Sequence, residues 1–311
     1  MRRPTLSPIA YRRITLFALL LLGIIVVTGA AVRLTGSGLG CSTWPSCEHD
    51  SFVPHPESGI HGTIESTNRY FTGLVSVGVI LAVAGSFFRV PRRRDLTWWS
   101  WTLVAGVIGQ IVLGGLTVLF ELSPPFVMGH FLLSAVLVAC GTVLHHKAGE
   151  PDGGERRAVA TPEIRAMAKV LLGAATIVLV TGTAVTGSGP HGGDPEVERL
   201  DLFLPDIARV HAIAVWVLLA ATLWTLYLVR RGGASPVVER ALRALVVLEV
   251  AQGAIGYTQY FTGVPVGLVA AHIVGSMLVL VATLSVLLRT TVVEARTASA
   301  PRPADAVPSG V

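Results

Sequence analysis

Long apolar stretches alternate with short polar segments along most of the chain, and this pattern predicts membrane-spanning helices. A helix needs about 20 mostly apolar residues to cross the hydrocarbon core of a bilayer. Eight stretches meet this requirement, at residues 14–34, 69–88, 98–120, 126–146, 166–187, 207–229, 240–261 and 266–289. The first is too long for a typical signal-peptide core and lacks a convincing cleavage site, so we expect it to remain as a helix. The predicted fold is an all-α integral membrane protein with eight transmembrane helices.

The composition agrees with a membrane protein. Of the 311 residues, 52% are hydrophobic and only 14% are charged, which is too apolar for one water-soluble core. The net charge of +5 does not indicate a nucleic-acid partner, because the basic residues form short clusters between the apolar stretches. Membrane lipid is therefore the expected partner of the outer surface.

The distribution of Lys and Arg predicts the orientation in the membrane. Of the 24 basic residues, all but four lie on one side of the predicted helices, and the other side holds Arg33, Arg69, Arg199 and Arg209. Because cytoplasmic loops carry the excess of basic residues, we expect a multi-pass protein of the cell membrane with both termini in the cytoplasm.

The two halves of the chain resemble each other where they are most polar. Residues 109–138 align without a gap on 251–280, and the matched pairs are Gln110 with Gln252, Gly114 with Gly256, His130 with His272, and Ser134 with Ser276. Asn68 matches His211 at almost the same offset, and Thr28-Gly29 matches Thr181-Gly182. An even number of helices per copy gives both copies the same orientation.

This repeat predicts two tandem, pseudo-symmetric four-helix bundles. The N-terminal unit would comprise residues 1–146 and the C-terminal unit residues 166–290. A polar cytoplasmic linker at 147–165 would join them, and a tail at 291–311 rich in Ala, Pro and Ser is expected to be disordered.

Three histidines at matched depth indicate heme binding. His130, His211 and His272 lie in the first turns of predicted helices 4, 6 and 8, near the external surface, with Asn68 at the matching place in helix 2. Ionisable side chains within a membrane usually face the bundle interior, and neighbouring helices can offer one imidazole to each side of a porphyrin. His211 and His272 would form a complete pair, whereas Asn68 is a poor iron ligand beside His130. The alternative is that these histidines only form hydrogen bonds within the protein and bind no heme.

Other polar residues near the external surface are candidates for chemistry. Glu65 lies on one helical face with His61, Asn68 and Thr72, and its carboxylate could orient substrate, relay protons or stabilise a cation. The alternative is a residue that caps the helix start or pairs with Arg69. The arginines that could bind heme propionates, or could instead reach to the interface, are Arg33, Arg69 and Arg209.

Cys41 and Cys47 fall in the first external loop, where a disulfide is predicted and two free thiols or half of a metal site are the alternatives. Cys140 would be an inert thiol within a helix. His191, in an external loop, could gate a site. Loop histidines are usually solvated, and we expect the same of His49, His55, His145 and His146.

Several of these residues stand in an order that resembles the heme A synthase family. They are Arg33-Leu34-Thr35-Gly36-Ser37-Gly38-Leu39-Gly40-Cys41 with Trp44-Pro45 and Cys47, Ile64-Glu65 before Asn68-Arg69, Gly129-His130, Thr186-Gly187-Ser188-Gly189-Pro190-His191, Val210-His211 and Ala271-His272. The resemblance covers nearly the whole chain from the first predicted helix to the eighth, and depends on order and spacing more than on any single motif.

Membership of that family would imply oxidation of the C8 methyl group of heme O to a formyl group, giving heme A for cytochrome oxidase. His211 and His272 would hold a resident heme b, and His130 and Glu65 would serve the substrate heme O. The implied partners are a heme O synthase (protoheme farnesyltransferase) upstream and a quinol or other electron donor, and a homo-oligomer is compatible. The departure is Asn68, where the better known members of the family have a histidine. A quinol-linked diheme b-type cytochrome or a heme carrier without chemistry are the alternatives.

Overall fold

The computed structural model describes residues 5–41, 43–47 and 51–294 of the chain. Within these residues each of the eight predicted apolar stretches coincides with one long helix. The helices are α1 (Pro8–Leu34), α2 (Gly59–Phe88), α3 (Arg94–Leu119), α4 (Pro124–Ala148), α5 (Pro162–Ser188), α6 (Leu204–Leu228), α7 (Pro236–Phe261) and α8 (Val266–Leu288). Their 23 to 30 residues correspond to about 35–45 Å, enough to cross a bilayer.

Most helices begin before the apolar stretches, because their first turns are polar or contain proline. Ser7 caps α1 by accepting a hydrogen bond from the Ala10 amide at 3.2 Å. Proline occupies the first turn of α1, α4, α5, α6 and α7, where its missing N–H costs no helical hydrogen bond. His130, His211 and His272 all lie in the second turn of their helices and not in the expected first turn. Asn68 lies in the third turn of α2, which begins ten residues earlier than expected.

The outer surface of the helices suits a lipid environment. Seven helices of the described chain, α1 to α6 and α8, are long and apolar enough to span a membrane, so the chain is an all-α integral membrane protein. The exception, α7, carries Glu249, Gln252 and Gln259, but its outward side chains include Val247, which is 67% exposed. Large outward apolar side chains on the other helices, such as Trp98, are likewise suited to contact with lipid.

The helices pack in the same cyclic order in both halves. In the first half α1 contacts α2 and α4, and α3 contacts the same two helices; in the second half α5 and α7 each contact α6 and α8. The halves meet where α8 packs against α1 and α4, and where α4 packs against α5. One buried apolar core fills each half, and the largest side chains include Tyr11, Leu22, Leu103 and Leu144 in the first and Leu171, Leu218, Leu242 and Leu245 in the second.

The segment between α4 and α5 is tied to both halves. Strand β1 (Glu155–Ala158) pairs antiparallel with β2 (Thr291–Glu294), which follows α8. The fully buried Arg89 guanidinium, at the end of α2, donates to both carboxylate oxygens of Asp152 at 2.8 and 3.0 Å. A disordered tail from residue 291 is thus a wrong prediction for residues 291–294, because strand pairing orders them. The remaining residues, 295–311, lie outside the described residues.

Candidate functional site

The structure brings His211 of α6 and His272 of α8 together inside the C-terminal half. Their ring centres are 6.4 Å apart, and the ring planes cross at 78°. Two imidazoles on opposite sides of one metal ion, each bonded at about 2 Å, have ring centres about 6 Å apart. This spacing fits two axial ligands of one heme iron.

A threonine on α5 sets the hydrogen-bonding state of His211. The Thr181 hydroxyl lies 2.9 Å from the Ile177 carbonyl and 3.1 Å from Nδ1 of His211. When the single hydroxyl hydrogen is donated to the carbonyl, the Thr181 oxygen can accept the Nδ1–H of the imidazole. The lone pair of Nε2 is then free to bind a metal, as in histidines held by an outer hydrogen bond.

A glycine lies against each of the three matched imidazoles. A methyl group added at Gly114 would lie 3.1 Å from Cε1 of His130, one at Gly182 would lie 3.1 Å from that of His211, and one at Gly256 would lie 3.3 Å from that of His272. Carbon atoms normally pack at about 3.5–4.0 Å, so each glycine provides space that an alanine would fill. The alignment of Gly114 with Gly256 was visible in the sequence, but its reason was not.

The N-terminal half repeats this arrangement with one substitution. The Thr28 hydroxyl donates to Oδ1 of Asn68 at 2.8 Å, in the place where Thr181 contacts His211. A methyl group at Gly29, the counterpart of Gly182, would meet nothing within 4 Å, because the asparagine side chain is shorter than an imidazole. Gln110 donates to the His130 carbonyl at 2.9 Å and to the Ser134 hydroxyl at 2.6 Å, which joins α3 to α4 beside His130.

The Nδ1 atoms of His130 and His272 are buried and lack a hydrogen-bond partner among the described residues. Buried polar atoms nearly always have partners, so a bound group or water is needed to complete these contacts. Within residues 5–41, 43–47 and 51–294, no three His, Cys, Asp or Glu side chains form a metal site. A porphyrin brings four nitrogen ligands of its own and needs only the imidazoles.

Glu65 is buried and links α2 to the loop that follows α1. Its Oε2 accepts the Cys41 amide at 2.7 Å, and its Oε1 pairs with the Arg69 guanidinium at 2.5 and 3.1 Å. Arg69 also donates to the carbonyls of Thr43 and Ser46, at 3.1 and 2.9 Å. The pairing with Arg69 that the sequence left as an alternative is therefore present. The contact with Cys41 had no signal in the sequence.

The predicted disulfide between Cys41 and Cys47 is confirmed, with Cα atoms 4.4 Å apart, and Cys140 is a free thiol. Glu65 and Arg69 hold this seven-residue loop against the external end of α2. Nearby, His61 Nδ1 lies 2.9 Å from the Ser37 hydroxyl, which fixes the chain just before the loop. These contacts thus fix the loop between α1 and α2 at this end of the N-terminal half.

The three arginines considered for propionate binding differ in their contacts. Arg33 donates to the carbonyls of His191 and Thr186, at 2.6 and 2.9 Å, and so joins α1 to the second half. Arg69 donates to the Glu65 carboxylate and to the carbonyls of the disulfide loop. Arg209, two residues before His211, has a side chain that is 75% exposed and pairs with Asp206 at 3.0 Å.

Two histidines expected to be solvated form hydrogen bonds instead. His191 is partly buried, and its Nε2 lies 3.0 Å from the Val264 carbonyl, which joins two external loops. His145 Nδ1 lies 3.1 Å from the Thr15 hydroxyl at the cytoplasmic end. His146 is 3.9 Å from Glu150, and His55 is exposed. His49 lies outside the described residues.

Known proteins resemble this chain over large segments. The COX15-CtaA family, described as cytochrome oxidase assembly protein, matches residues 12–190, more than half of the chain. A protein named heme A synthase from Alkalihalophilus pseudofirmus is 33% identical over 133 residues, 42% of this chain and 44% of that protein. Another of that name from an Exiguobacterium species is 26% identical over 239 residues, 74% of this chain and 78% of that protein.

The first alignment spans less than half of the relative's length, whereas the second extends over most of both proteins. The family match runs from α1 through α5 and includes Glu65, Asn68 and His130. The resemblance noted in the sequence is confirmed at the level of the family. The chain belongs to the COX15-CtaA family of cytochrome oxidase assembly proteins.

Proposed function

We propose that the protein is a heme A synthase, an oxidoreductase that converts the C8 methyl group of heme O into a formyl group. The heme A formed would supply cytochrome c oxidase. The family match and the relatives named heme A synthase support this activity. The observation that carries it is a difference between the two halves. The C-terminal half has a pair of imidazoles, His211 and His272, 6.4 Å apart, whereas the N-terminal half has Asn68, beside Thr28, in the place that matches His211.

The C-terminal unit, residues 166–290, holds the resident heme b in this proposal. His211 and His272 would hold the iron, Thr181 would accept the Nδ1 proton of His211, and Gly182 and Gly256 make room for the rings. Heme b supplies one-electron transfer when bound. The two imidazoles keep the iron fully coordinated, which suits electron transfer better than reaction with a substrate.

The N-terminal unit, residues 1–146, takes heme O as substrate. His130 would hold the heme O iron, and Asn68, whose oxygen accepts the Thr28 hydrogen bond, stands where the repeat predicts a second ligand. Glu65 serves this site from the external rim, where it fixes the Cys41–Cys47 loop through the Cys41 amide. The carboxylate can therefore act on substrate both by its charge and by the position of the loop.

The candidates for propionate contacts are Arg33, Arg69 and Arg209, and each of them already donates to a protein oxygen. We further propose that α7 spans the membrane as the eighth helix and that both termini are cytoplasmic. A heme O synthase would supply the substrate and a quinol the electrons. A homo-oligomer is compatible with this arrangement.

Expression in a host that makes heme O but lacks heme A tests the activity. Membranes containing the protein should yield heme A on extraction, and membranes containing His272→Ala should yield heme O only. If a folded protein loaded with heme b leaves only heme O, the protein is not a heme A synthase. Such a result would favour a diheme cytochrome that passes electrons.

A further inference from the structure

A buried carboxyl group lies deep in the C-terminal unit, away from the histidines. Glu249 of α7 is 4% exposed, and its Oε1 is 2.8 Å from the hydroxyl of Thr222, a fully buried residue of α6. Its second oxygen, Oε2, is buried without a hydrogen-bond partner among the described residues. Ionisable side chains at such positions in membrane proteins are costly and usually have a function.

The contacts of Thr222 suit a carboxyl group that changes its protonation state. The Thr222 hydroxyl also lies 3.0 Å from the Leu218 carbonyl, and its one hydrogen can serve only one of the two acceptors. When Glu249 is ionised, that hydrogen stabilises the carboxylate. When Glu249 is protonated, the carboxyl O–H can donate to Thr222, which then donates to Leu218. Both states are hydrogen-bonded without a change in the backbone.

Two further buried oxygens lie on the same face of α7, toward the external end. They are Oε1 of Gln252 and Oε1 of Gln259, and neither has a partner in the described part of the chain. With Glu249 they form the α7 stripe, spaced at i, i+3 and i+10. Because more than about 90% of buried polar groups have partners, ordered water is the expected donor to these acceptors.

The stripe passes the proposed heme site. Gly256, which lies against His272, falls between Gln252 and Gln259, and Glu249 lies about 10 Å further along α7 toward the cytoplasm. Extending the repeat alignment places Val107 at the matching position of the N-terminal half. The carboxyl group thus occurs only in the half proposed to hold heme b.

Charged groups that could neutralise Glu249 are remote from it. The elements packed against α7 carry Asp206, Arg209, His211, Tyr227, Arg230 and Arg231 in or after α6, and His272 in α8; α7 itself carries Glu239, Arg240, Arg243, Tyr257 and Tyr260. Among the described residues, none of these forms an ion pair or a hydrogen bond with Glu249. An ionised Glu249 carboxylate has one hydrogen-bond donor among the described residues, the Thr222 hydroxyl. Its negative charge is therefore compensated mainly by groups that bind nearby.

We propose that Glu249 takes up one proton when the resident heme b is reduced, and releases it when the heme is oxidised again. This inference rests on the proposed function, since it needs a heme b between His211 and His272. One electron from a one-electron reductant converts ferric to ferrous iron, and one proton from water converts the Glu249 carboxylate to the carboxylic acid. The net charge of the buried site is then unchanged. Thr222 and the α7 stripe stabilise both forms and conduct the proton.

The test is a redox titration of the purified protein with its heme b, followed by absorbance between about pH 5 and about pH 9. Over part of this range a tenfold change in proton concentration should shift the wild-type midpoint potential by up to about 59 mV. Glu249→Gln should remove this dependence. The matched control Glu239→Gln, a partly exposed carboxylate on the same helix that pairs with Arg243, should retain it. A pH-independent wild-type potential, or an unchanged slope in Glu249→Gln, would overturn the inference.

Infrared difference spectra of the reduced and oxidised protein give a second measurement if Glu249→Gln fails to fold. The wild type should show a protonated-carboxyl band on reduction that shifts in heavy water. Thr222→Val keeps the carboxyl and should move this band, and absence of a carboxyl band in the wild type would overturn the inference. A protein with heme b that makes no heme A contradicts only the proposed function, because both measurements need only the resident heme.

Discussion

The glycines beside the imidazoles allow a sharp test of the proposed heme b site. In Gly182→Ala the new methyl group would lie 3.1 Å from Cε1 of His211, closer than the usual separation of about 3.5–4.0 Å. The imidazole must then move by a few tenths of an ångström or more, away from the position that Thr181 holds. We expect weaker heme b binding and partial loss of the low-spin signal.

The expected magnitude follows from the cost of an extra methyl group in a packed site, about 1–3 kcal/mol. If this cost falls on the heme-bound state, the dissociation constant rises about five- to 150-fold. Gly29→Ala is the matched control, because Gly29 occupies the same place in the repeat and its methyl group would meet nothing within 4 Å. Any gain in helix propensity, up to about 1 kcal/mol, should be similar in both variants.

The assay is titration of heme-depleted protein with hemin, read by the low-spin absorbance, with thermal unfolding by circular dichroism as the check on folding. Gly256→Ala, with a separation of 3.3 Å from His272, should behave like Gly182→Ala but more mildly. Equal heme affinity in Gly182→Ala and Gly29→Ala, with both folded, would refute the assignment of His211 as a ligand.

Asn68→His should give the N-terminal site a second imidazole, because Gly29 leaves open space there; the low-spin signal should rise and heme A production should fall, and an unchanged spectrum would contradict this. Thr181→Val should lower heme b affinity about 10- to 100-fold by removing the Nδ1 contact, measured by hemin titration against Thr181→Ser. Glu65→Gln preserves size and removes charge, so the ratio of heme A to heme O in membranes should fall sharply. A normal ratio would leave Glu65 as a structural partner of Arg69.

The sequence predicts the helices well because a bilayer imposes length and apolarity on each span. It misplaces the start of α2 by ten residues, since residues 59–68 are too polar to count toward an apolar stretch although their backbone is helical. The pairing of β1 with β2 was missed for a different reason. It joins residues more than 130 positions apart, and such contacts leave no local pattern.

In the candidate site, too, the sequence pattern predicts the residues themselves but not their contacts with other helices. Internal repetition identified His130 and His272 as identical residues at one offset, and His211 as the counterpart of Asn68 at almost the same offset. Their neighbours come from other helices, so the contact of Thr181 with His211 could be seen only after folding. The same holds for the Glu65 carboxylate, whose partner amide at Cys41 lies 24 residues earlier in the chain.

The two halves differ at one matched position, Asn68 in the first and His211 in the second. The reverse of Asn68→His, the substitution His211→Asn, therefore gives a further test. Thr28 donates to Asn68 Oδ1 at 2.8 Å, and the Thr181 hydroxyl occupies the matching place beside His211. In His211→Asn the shorter amide should accept a hydrogen bond from Thr181 as Asn68 does from Thr28, so the helices should pack as before. The C-terminal site would then offer one imidazole, and its heme should change from six-coordinate low spin to five-coordinate high spin. Absorption and electron paramagnetic resonance spectra would report the change, with His211→Ala as the comparison without the amide. A low-spin spectrum in folded His211→Asn would show that another residue binds the iron. The proposal that Asn68 and His211 give the two halves different heme ligation would then be wrong.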